Sequence, residues 1–532
     1  MALGRLAREG SELVIIGGGI TGAGVLRDAA LRGLSCVLFE RGDFAAGTSS
    51  HTSKMIHGGL RYIAEGQLGV TRESCVERAL LARLNPNLVH PLPFLFCSFE
   101  GGHAPWEVLA GMAVYSALSG FKSGFKLLSR AQVEELSHDL RKDLLRRAAL
   151  YHDQQVDDAR IVLETVKDAR RAGAEAISHA EVVGFDKRGP RITGVRVRDR
   201  VSGREFAVRA EVVVNATGPS ADKLRALDAA LPVHELRPAK GVHLVIERAR
   251  VHADAAVAFQ ASDGRHMFLC PYQDVHLIGT TDTFTDEIDE PRVTEADQRY
   301  LLEATNRMFS SPALTPRDVI SAYAGVRPLV SDPNAEVPPS SVSREHRITL
   351  DASGLLSVAG GKLTTHRRMS EQIVDRVVAG LSPERRRRLG ACQTKLRPLR
   401  ADRFDRAELA HELVQRFSLD PTSALRLIGR WGEAAVAMLE AAPAAQREPI
   451  GGARSFACEI ARAFTHECAV DLCDVLERRV RVAVFARGQG LPELAQLAQV
   501  AAEAAGWDDA RARLEAERYR ELVRRRYQVQ AS

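Results

Sequence analysis

A chain of 532 residues is too long for one compact core and is expected to divide into two or three globular units. Its 45% apolar and 27% charged residues are those of an ordinary globular protein, which excludes a disordered or fibrous one. A net charge of +5 over this length gives no case for nucleic acid and leaves only local basic patches for an anionic substrate or a membrane surface.

The cysteines (Cys36, Cys75, Cys97, Cys270, Cys392, Cys458, Cys468 and Cys473) are scattered, without a C-x-x-C pair. That points to a reducing compartment and against a zinc or iron–sulfur centre, so no metal is expected. The first residues carry no secretory apolar stretch followed by a small-residue cleavage site.

In chain order, the apolar run Leu13–Ile16 feeds directly into Gly17-Gly18-Gly19-Ile20-Thr21-Gly22. A helical pattern follows (Val25, Leu26, Ala29, Ala30), Gly33 stops it, and Cys36–Phe39 reads as a second buried strand ending at Glu40. This predicts a β–α–β unit with a parallel strand pair. Gly17 permits the tight turn, Gly19 lets the backbone approach a pyrophosphate on the positive helix end, and Gly22 allows close helix–strand packing. Glu40 is placed to accept hydrogen bonds from a ribose. Gly42–Gly69, rich in Gly, Ser, Thr and basic residues, is expected to be a loop entering a short helix.

Residues 91–150 read as mostly helical. Within them Val108–Leu118, extended by Phe121, Phe125, Leu127 and Leu128, is too short to span a bilayer, which takes about 20 apolar residues. Two readings stay open: an interfacial helix with Lys122, Lys126 and Arg130 towards headgroups, or a buried helix. A strand-rich passage from about 175 to 215 closes on Asn215-Ala-Thr-Gly218, and strands of a separate sheet are expected around 242–247, 266–270 and 275–280. Leu355–Val358 is one more buried strand, running into Gly360-Gly361-Lys362.

The expected architecture is α/β. A discontinuous Rossmann-like domain (11–90, 151–235 and 350–382) carries an inserted antiparallel-sheet substrate domain (91–150 and 236–349), and an all-α C-terminal domain spans 395–532. Pro383–Arg400, with its Arg385–Arg388 run, is the clearest boundary. Helices are expected over Ala407–Phe417, Ala424–Leu439, Phe456–Ala486 and Pro492–Arg526.

The glycine fingerprint alone does not choose between NAD and FAD. A second strand-to-helix turn, Ser357-Val-Ala-Gly360-Gly361-Lys362-Leu363-Thr364-Thr365, favours FAD, because its backbone N–H groups would suit the electron-rich edge of a reduced flavin. The candidate cofactor contacts are Gly17, Gly19, Ile20, Thr21, Gly22, Glu40, Arg41, Thr48, Ser49, Ser50, Lys54, His57, Gly58, Gly218, Gly360, Gly361, Lys362, Leu363 and Thr364.

The most informative later stretch is Ser49-Ser50-His51-Thr52-Ser53-Lys54-Met55-Ile56-His57-Gly58-Gly59-Leu60-Arg61-Tyr62. It resembles the S-S-K-x-x-H-G-G-L-R-Y segment of the aerobic, quinone-linked glycerol-3-phosphate dehydrogenases. The resemblance continues in register through Asn215–Pro219, Lys240–His243, Ile278–Asp282, Tyr323–Pro328, Ser343-Arg344, Gly360–Thr365 and Asp471–Arg479, over about residues 11 to 520. It implies a D-amino-acid-oxidase-like fold and oxidation of sn-glycerol 3-phosphate to dihydroxyacetone phosphate by hydride transfer to FAD. It further implies a membrane quinone as acceptor and a cytoplasmic protein held peripherally on the inner membrane face. Whether the chain forms a homodimer is left open.

By the same resemblance Arg61, Arg327 and Arg344 bind substrate, with Tyr62 and His243 beside them. A phosphate dianion favours such guanidinium forks. His57 and His243 are both candidates for the base that takes the alcohol proton, and Arg327 and Lys362 are expected to assist, Lys362 by stabilising a reduced anionic ring or the phosphate. Ser220, Cys270-Pro271-Tyr272 and His366 depart from the family's usual residues, which touches pocket shape and acceptor access. An oxygen-using glycerophosphate oxidase and an amine or amino-acid oxidase of the same superfold are the rival readings. A non-catalytic flavoprotein has no use for this many arginines.

Overall fold

The computed structural model describes residues 2–100, 104–120, 124–228, 235–331, 342, 345–400 and 404–531. Ser11–Ile16 is the central strand of a mainly parallel sheet. Glu205–Asn215 lies on one side and Cys36–Phe39 on the other, both parallel to it; Leu355–Gly360 and Glu175–Ile177 extend the sheet outward, also parallel. His346–Leu350 closes one edge antiparallel.

The apolar run of the central strand has no alternation because both its faces are covered. Leu13 and Ile15 pack with Val25, Leu26 and Ala29 of the helix Ile20–Arg32 and with Ile373 and Val377 of the helix His366–Gly380. Val14 and Ile16 pack with Val195, Val197 and Val208 of an antiparallel flap built from Ala180–Arg188, Arg191–Asp199 and the start of Glu205–Asn215.

The second, mixed sheet has the order Thr283–Phe284, Ala239–Glu247, Val275–Gly279, His266–Tyr272, Ala256–Gln260, Val89–Phe99, Leu145–Val156, Met55–Ile56, with Val319–Arg327 also paired to Ala239–Glu247. Its pairs are antiparallel except Ala256–Gln260 with Val89–Phe99. Here the mostly helical reading of 91–150 is corrected: Val89–Phe99 and Leu145–Val156 are long strands paired over their whole length. The sequence hid the first because Pro91 and Pro93 interrupt it. Both prolines lie before Phe94, where pairing to Ala256–Ala258 begins, so each sits where the strand has only one neighbour and a missing N–H costs no ladder bond.

The C-terminal part is helical, with helices including Arg406–Phe417, Pro421–Trp431, Ala457–His466, Leu494–Ala505 and Asp509–Arg526. It does not stand apart. Arg481 reaches Asp158 beside Lys54, and Arg478 and Arg479 both pair with Asp43 in the loop after the second strand. Asp158, Lys54 and Arg481 are all buried. Burial alone would raise the Asp158 carboxyl, but Lys54 and Arg481 outweigh it and hold it down at about 2.

Among the described residues no helix is long and apolar enough to cross a membrane. The helix Pro105–Leu118 buries Val108, Met112 and Tyr115 against the core and leaves Ala110, Ala113, Val114 and Ala117 outside, with Trp106 67% exposed. The buried-helix reading thus holds for one face of this helix, while the other face is an exposed apolar surface; Phe121 and Lys122 lie outside the described residues.

Removing one partner of a buried ion cluster strands the others. Asp158→Ala is therefore expected to destabilise the protein by about 3–5 kcal/mol, read as a lower urea midpoint in circular dichroism. An unchanged midpoint would show that the cluster carries no net stability.

Candidate active site

At the first strand-to-helix turn, Gly17 takes φ +109 and a Cβ there would lie 2.5 Å from the Ala216 carbonyl oxygen. A Cβ on Gly22 would collide with the Gly17 carbonyl oxygen, and beside Gly19 only Ser49 Oγ comes close, at 3.1 Å. The turn is thus a backbone cradle at the positive end of a 13-residue helix, shaped for a phosphate-bearing ligand. The half-buried Glu40 carboxylate accepts from Gly18 N (2.6 Å) and Gly42 N (2.8 Å), and desolvation pushes its pKa up. Ser49 Oγ accepts from Ile20 N at 3.0 Å, tying the loop of the second motif to this helix. Asn215 Oδ1 accepts from Thr217 N (3.2 Å) and Thr217 Oγ1 (2.7 Å), which shapes the Ala-Thr-Gly218 turn alongside.

The distant second turn forms a matching close approach. Gly360 and Gly361 have φ +80 and +89, and a Cβ on Gly360 would lie 2.5 Å from the Glu345 carbonyl oxygen. Lys362 Nζ donates to Ser74 Oγ at 2.6 Å and lies 4.5 Å above the Tyr62 ring. Thr364 Oγ1 is 3.2 Å from both the N and the O of His57, stitching this turn to the His57-Gly58-Gly59 segment. The two cradles and the half-buried carboxylate fit a long dinucleotide such as FAD, with Gly17, Gly19, Ile20, Gly22 and Glu40 at one end and Gly360–Thr364 at the other.

Between the sheets lies a cavity of about 890 Å³. Its wall is the antiparallel pair Ala239–Glu247 and Val319–Arg327, where alternation puts Gly241 and His243, and opposite them Tyr323, Gly325 and Arg327, on one face. Gly241 has no side chain, so the Arg327 guanidinium lies over it. His243 stacks on Tyr323, with ring centroids 5.1 Å apart and planes 16° from parallel. The Cβ position of Gly325 is filled by the His51 carbonyl oxygen, and Thr48 Oγ1 donates to Val326 O at 2.6 Å. Absent side chains on this strand pair let the Thr48–His51 loop press against it.

Of the residues expected from the sequence, the cavity brings together Thr48, His57, Arg61, Tyr62, His243, Arg327, Gly360, Gly361, Lys362, Leu363 and Thr364. Gly58 lies behind the wall, its N–H donating to Tyr115 OH (3.1 Å) and Asp153 Oδ1 (3.2 Å). Arg327 is held by Asp282 at 3.1 Å and Thr280 Oγ1 at 2.9 Å, and Arg61 by Glu65 at 3.2 Å. Burial pushes the His57 imidazole down to about 4 and the His243 imidazole down to about 3, with Lys362 and Arg61 adding to the effect on His57 and Arg327 on His243. Both rings are neutral at pH 7.

Three expected contacts are corrected. Lys54 is fully buried with its Nζ 2.6 Å from Asp158 Oδ1, because this is the carboxylate its side chain reaches. Ser50 is buried against His51 Nδ1 at 3.1 Å, and Arg41 points outward to Asp289. Arg344 and Ser343 lie outside the described residues. Sequence reasoning missed Ser53, Asp153, Arg265, Thr280 and Asp282, which also line the cavity. Thr280 and Asp282 had a signal in the Ile278–Asp282 motif; Arg265 had none, since only the fold brings the turn Asp263-Gly264-Arg265 to the cavity mouth.

Residues 12–367 match the family described as DAO, FAD dependent oxidoreductase, and residues 392–512 match the C-terminal domain of alpha-glycerophosphate oxidase. The chain is 36% identical over 511 residues to a glycerol-3-phosphate dehydrogenase of Mycobacterium leprae (strain TN), spanning 94% of this chain and 86% of that one. The chain belongs to the FAD-dependent glycerol-3-phosphate dehydrogenase family. An aerobic glycerol-3-phosphate dehydrogenase of Staphylococcus aureus (strain USA300) is likewise 36% identical over 441 residues, 80% of this chain and 79% of that one. The glycerol-3-phosphate dehydrogenase of Bacillus halodurans, solved with FAD, superposes at a TM-score of 0.79 and 28% identity, covering 99% of this chain and 98% of that one. The Mycoplasma pneumoniae L-alpha-glycerophosphate oxidase, at 16% identity, TM-score 0.55, and 70% and 95% coverage, shares the fold alone. As in the rest of this dehydrogenase family's flavoprotein fold, the cofactor is FAD.

Gly22→Val puts a side chain where the Gly17 carbonyl stands. The variant is expected to purify with most of its FAD lost, read as the ratio of flavin to protein absorbance. Full FAD occupancy would overturn the assignment of this turn as the cofactor cradle.

Proposed function

We propose that this protein oxidises sn-glycerol 3-phosphate to dihydroxyacetone phosphate and passes the electrons to a membrane quinone. The observation that carries the substrate is the cavity wall itself, where the Arg327 fork lies over Gly241, two residues from His243, in a chamber that also holds Arg61 and Lys362. A guanidinium fork can offer two parallel N–H donors to a phosphate, a match that lysine does not reproduce. Arg344 joins them in this proposal. The relatives that carry this substrate in their names support it.

His57 takes the proton of the C2 hydroxyl. Its ring lies at the cavity, stacked against Tyr62 with centroids 6.3 Å apart, and burial keeps it neutral and ready to accept. Asp153, which opposes the burial, offsets positive charge on the ring as the proton arrives. Lys362 and Arg61 supply positive charge to the same chamber. FAD, when bound, supplies the acceptor for the C2 hydride. The quinone reading is supported by the helix Pro105–Leu118: Trp106, Ala110 and Gly111 line the cavity, and the same helix exposes an apolar face, where a lipid-dissolved acceptor would arrive. The basic helix Asp509–Arg526 lends less support, since Arg518, Arg520, Arg524 and Arg525 are paired with glutamates. Attachment to the cytoplasmic face of the membrane belongs to this proposal.

Anaerobic mixing with glycerol 3-phosphate is expected to bleach the oxidised-flavin band; an unchanged band sinks the substrate. Re-oxidation should then be faster with a soluble quinone analogue than with oxygen, and the reverse order would make the protein an oxidase. Arg327→Lys should lose about 2 kcal/mol of transition-state binding, roughly 30-fold in kcat/KM. Because burial lowers the His57 pKa, the ring is unprotonated above pH of about 4. The acid limb of kcat/KM is therefore expected near that pH, and a limb at about 6.5, the ordinary imidazole value, would count against His57 as base.

A further inference from the structure

We propose that Ser53 is a substrate-binding residue whose hydroxyl is aimed into the cavity by a hydrogen bond donated from His243. His243 has little freedom. Its ring is stacked on Tyr323 on one side, and its edge closes over Gly279, where any side chain would strike it. Nε2 lies 2.7 Å from Ser53 Oγ, while Nδ1 is buried and has no hydrogen-bond partner among the described residues.

A neutral imidazole carries one proton, and these two environments decide where it sits. Either tautomer leaves Nδ1 unpaired, but an orphaned buried N–H is the less tolerated of the two, because a bare ring lone pair forces no donor into apolar surroundings. On Nε2 it is used, so Nε2–H donates to Ser53 Oγ. Ser53 has then accepted its bond from the protein, and its own O–H is left to donate. The only hydrogen bond its hydroxyl makes among the described residues is the one with His243, and both residues face the cavity. The acceptor that completes this pair is an electron-rich oxygen of the bound substrate.

The backbone around Ser53 is fixed from both sides. Thr52 N and Oγ1 donate to Asp158 Oδ2 at 3.0 and 2.8 Å, and the Thr52 carbonyl accepts from Tyr323 OH at 2.9 Å. Lys54 Nζ and Arg481 donate to the other oxygen of the same carboxylate at 2.6 and 2.9 Å. The buried ion cluster thus holds Ser53 against His243.

The same geometry makes His243 a donor and not the base. Accepting a second proton would put an unpaired N–H at Nδ1, in surroundings that include Arg327, Lys54 and His51, which Asp158 opposes. Burial first, then Arg327 and Lys54, push this imidazole down, in keeping with a ring that stays neutral.

The proposal rests on the reading of the cavity as a glycerol 3-phosphate site, and two measurements separate their failures. In 15N-histidine-labelled holoenzyme without substrate, His243 (assigned by its loss in H243Q) is expected as the Nε2–H tautomer. The Nδ1–H tautomer would overturn the proposal whatever the substrate is. Kinetically, Ser53→Ala with full FAD content should lower kcat/KM for glycerol 3-phosphate about tenfold. His243→Gln, whose amide donates from nearly the position of Nε2, should keep several times the activity of His243→Leu. A fully active S53A enzyme, or equal losses in H243Q and H243L, would overturn the proposal even where wild-type flavin is bleached.

Discussion

The carboxylate of Asp158 holds together three parts of the chain that are far apart in sequence. It receives Thr52 and Lys54 from the motif loop, accepts from Ala159 N in the first turn of its own helix, and receives Arg481 from the C-terminal helices. A buried carboxylate is costly unless it is paired and fully hydrogen-bonded, and here two cations and three further donors meet that condition. In return the motif loop, which has little regular structure of its own, becomes a rigid wall. Arg478 and Arg479 on Asp43, and Tyr527 bridging Glu477 and His51, extend the same arrangement under the site. The C-terminal helices are therefore part of how the cavity is built.

Where the ion cluster holds the loop, glycines decide how near it comes. Gly325 admits the His51 carbonyl, Gly241 admits the Arg327 guanidinium, and Gly279 admits the edge of His243. Each is a strand position where a side chain would displace a functional group. The two cofactor turns follow the same logic, since Gly22 and Gly360 meet backbone oxygens at distances no Cβ tolerates. The site is thus set as much by omitted side chains as by those present.

Much of this was legible in the sequence because it is local. The Leu13–Gly22 run, Glu40 at the end of the next strand and the Gly360–Thr364 turn are contiguous patterns with one physical reading each, and the structure forms each as a strand ending in a tight turn. Strand Val89–Phe99 was not legible, because Pro91 and Pro93 are harmless only where a neighbouring strand is missing, which is a tertiary fact. Lys54 looked like a cofactor ligand for the opposite reason. Its motif is local, but the carboxylate that claims it lies 104 positions away. Arg265 and Asp153 reach the cavity through hairpin turns and cross-sheet packing, for which no sequence spacing is a guide.

A crystal structure of the FAD-loaded protein with dihydroxyacetone phosphate tests the account most directly. It predicts phosphate oxygens about 3 Å from the guanidinium groups of Arg327 and Arg61, and the C2 oxygen within the same reach of His57. A phosphate bound elsewhere, out of reach of both Arg327 and Arg61, would contradict it.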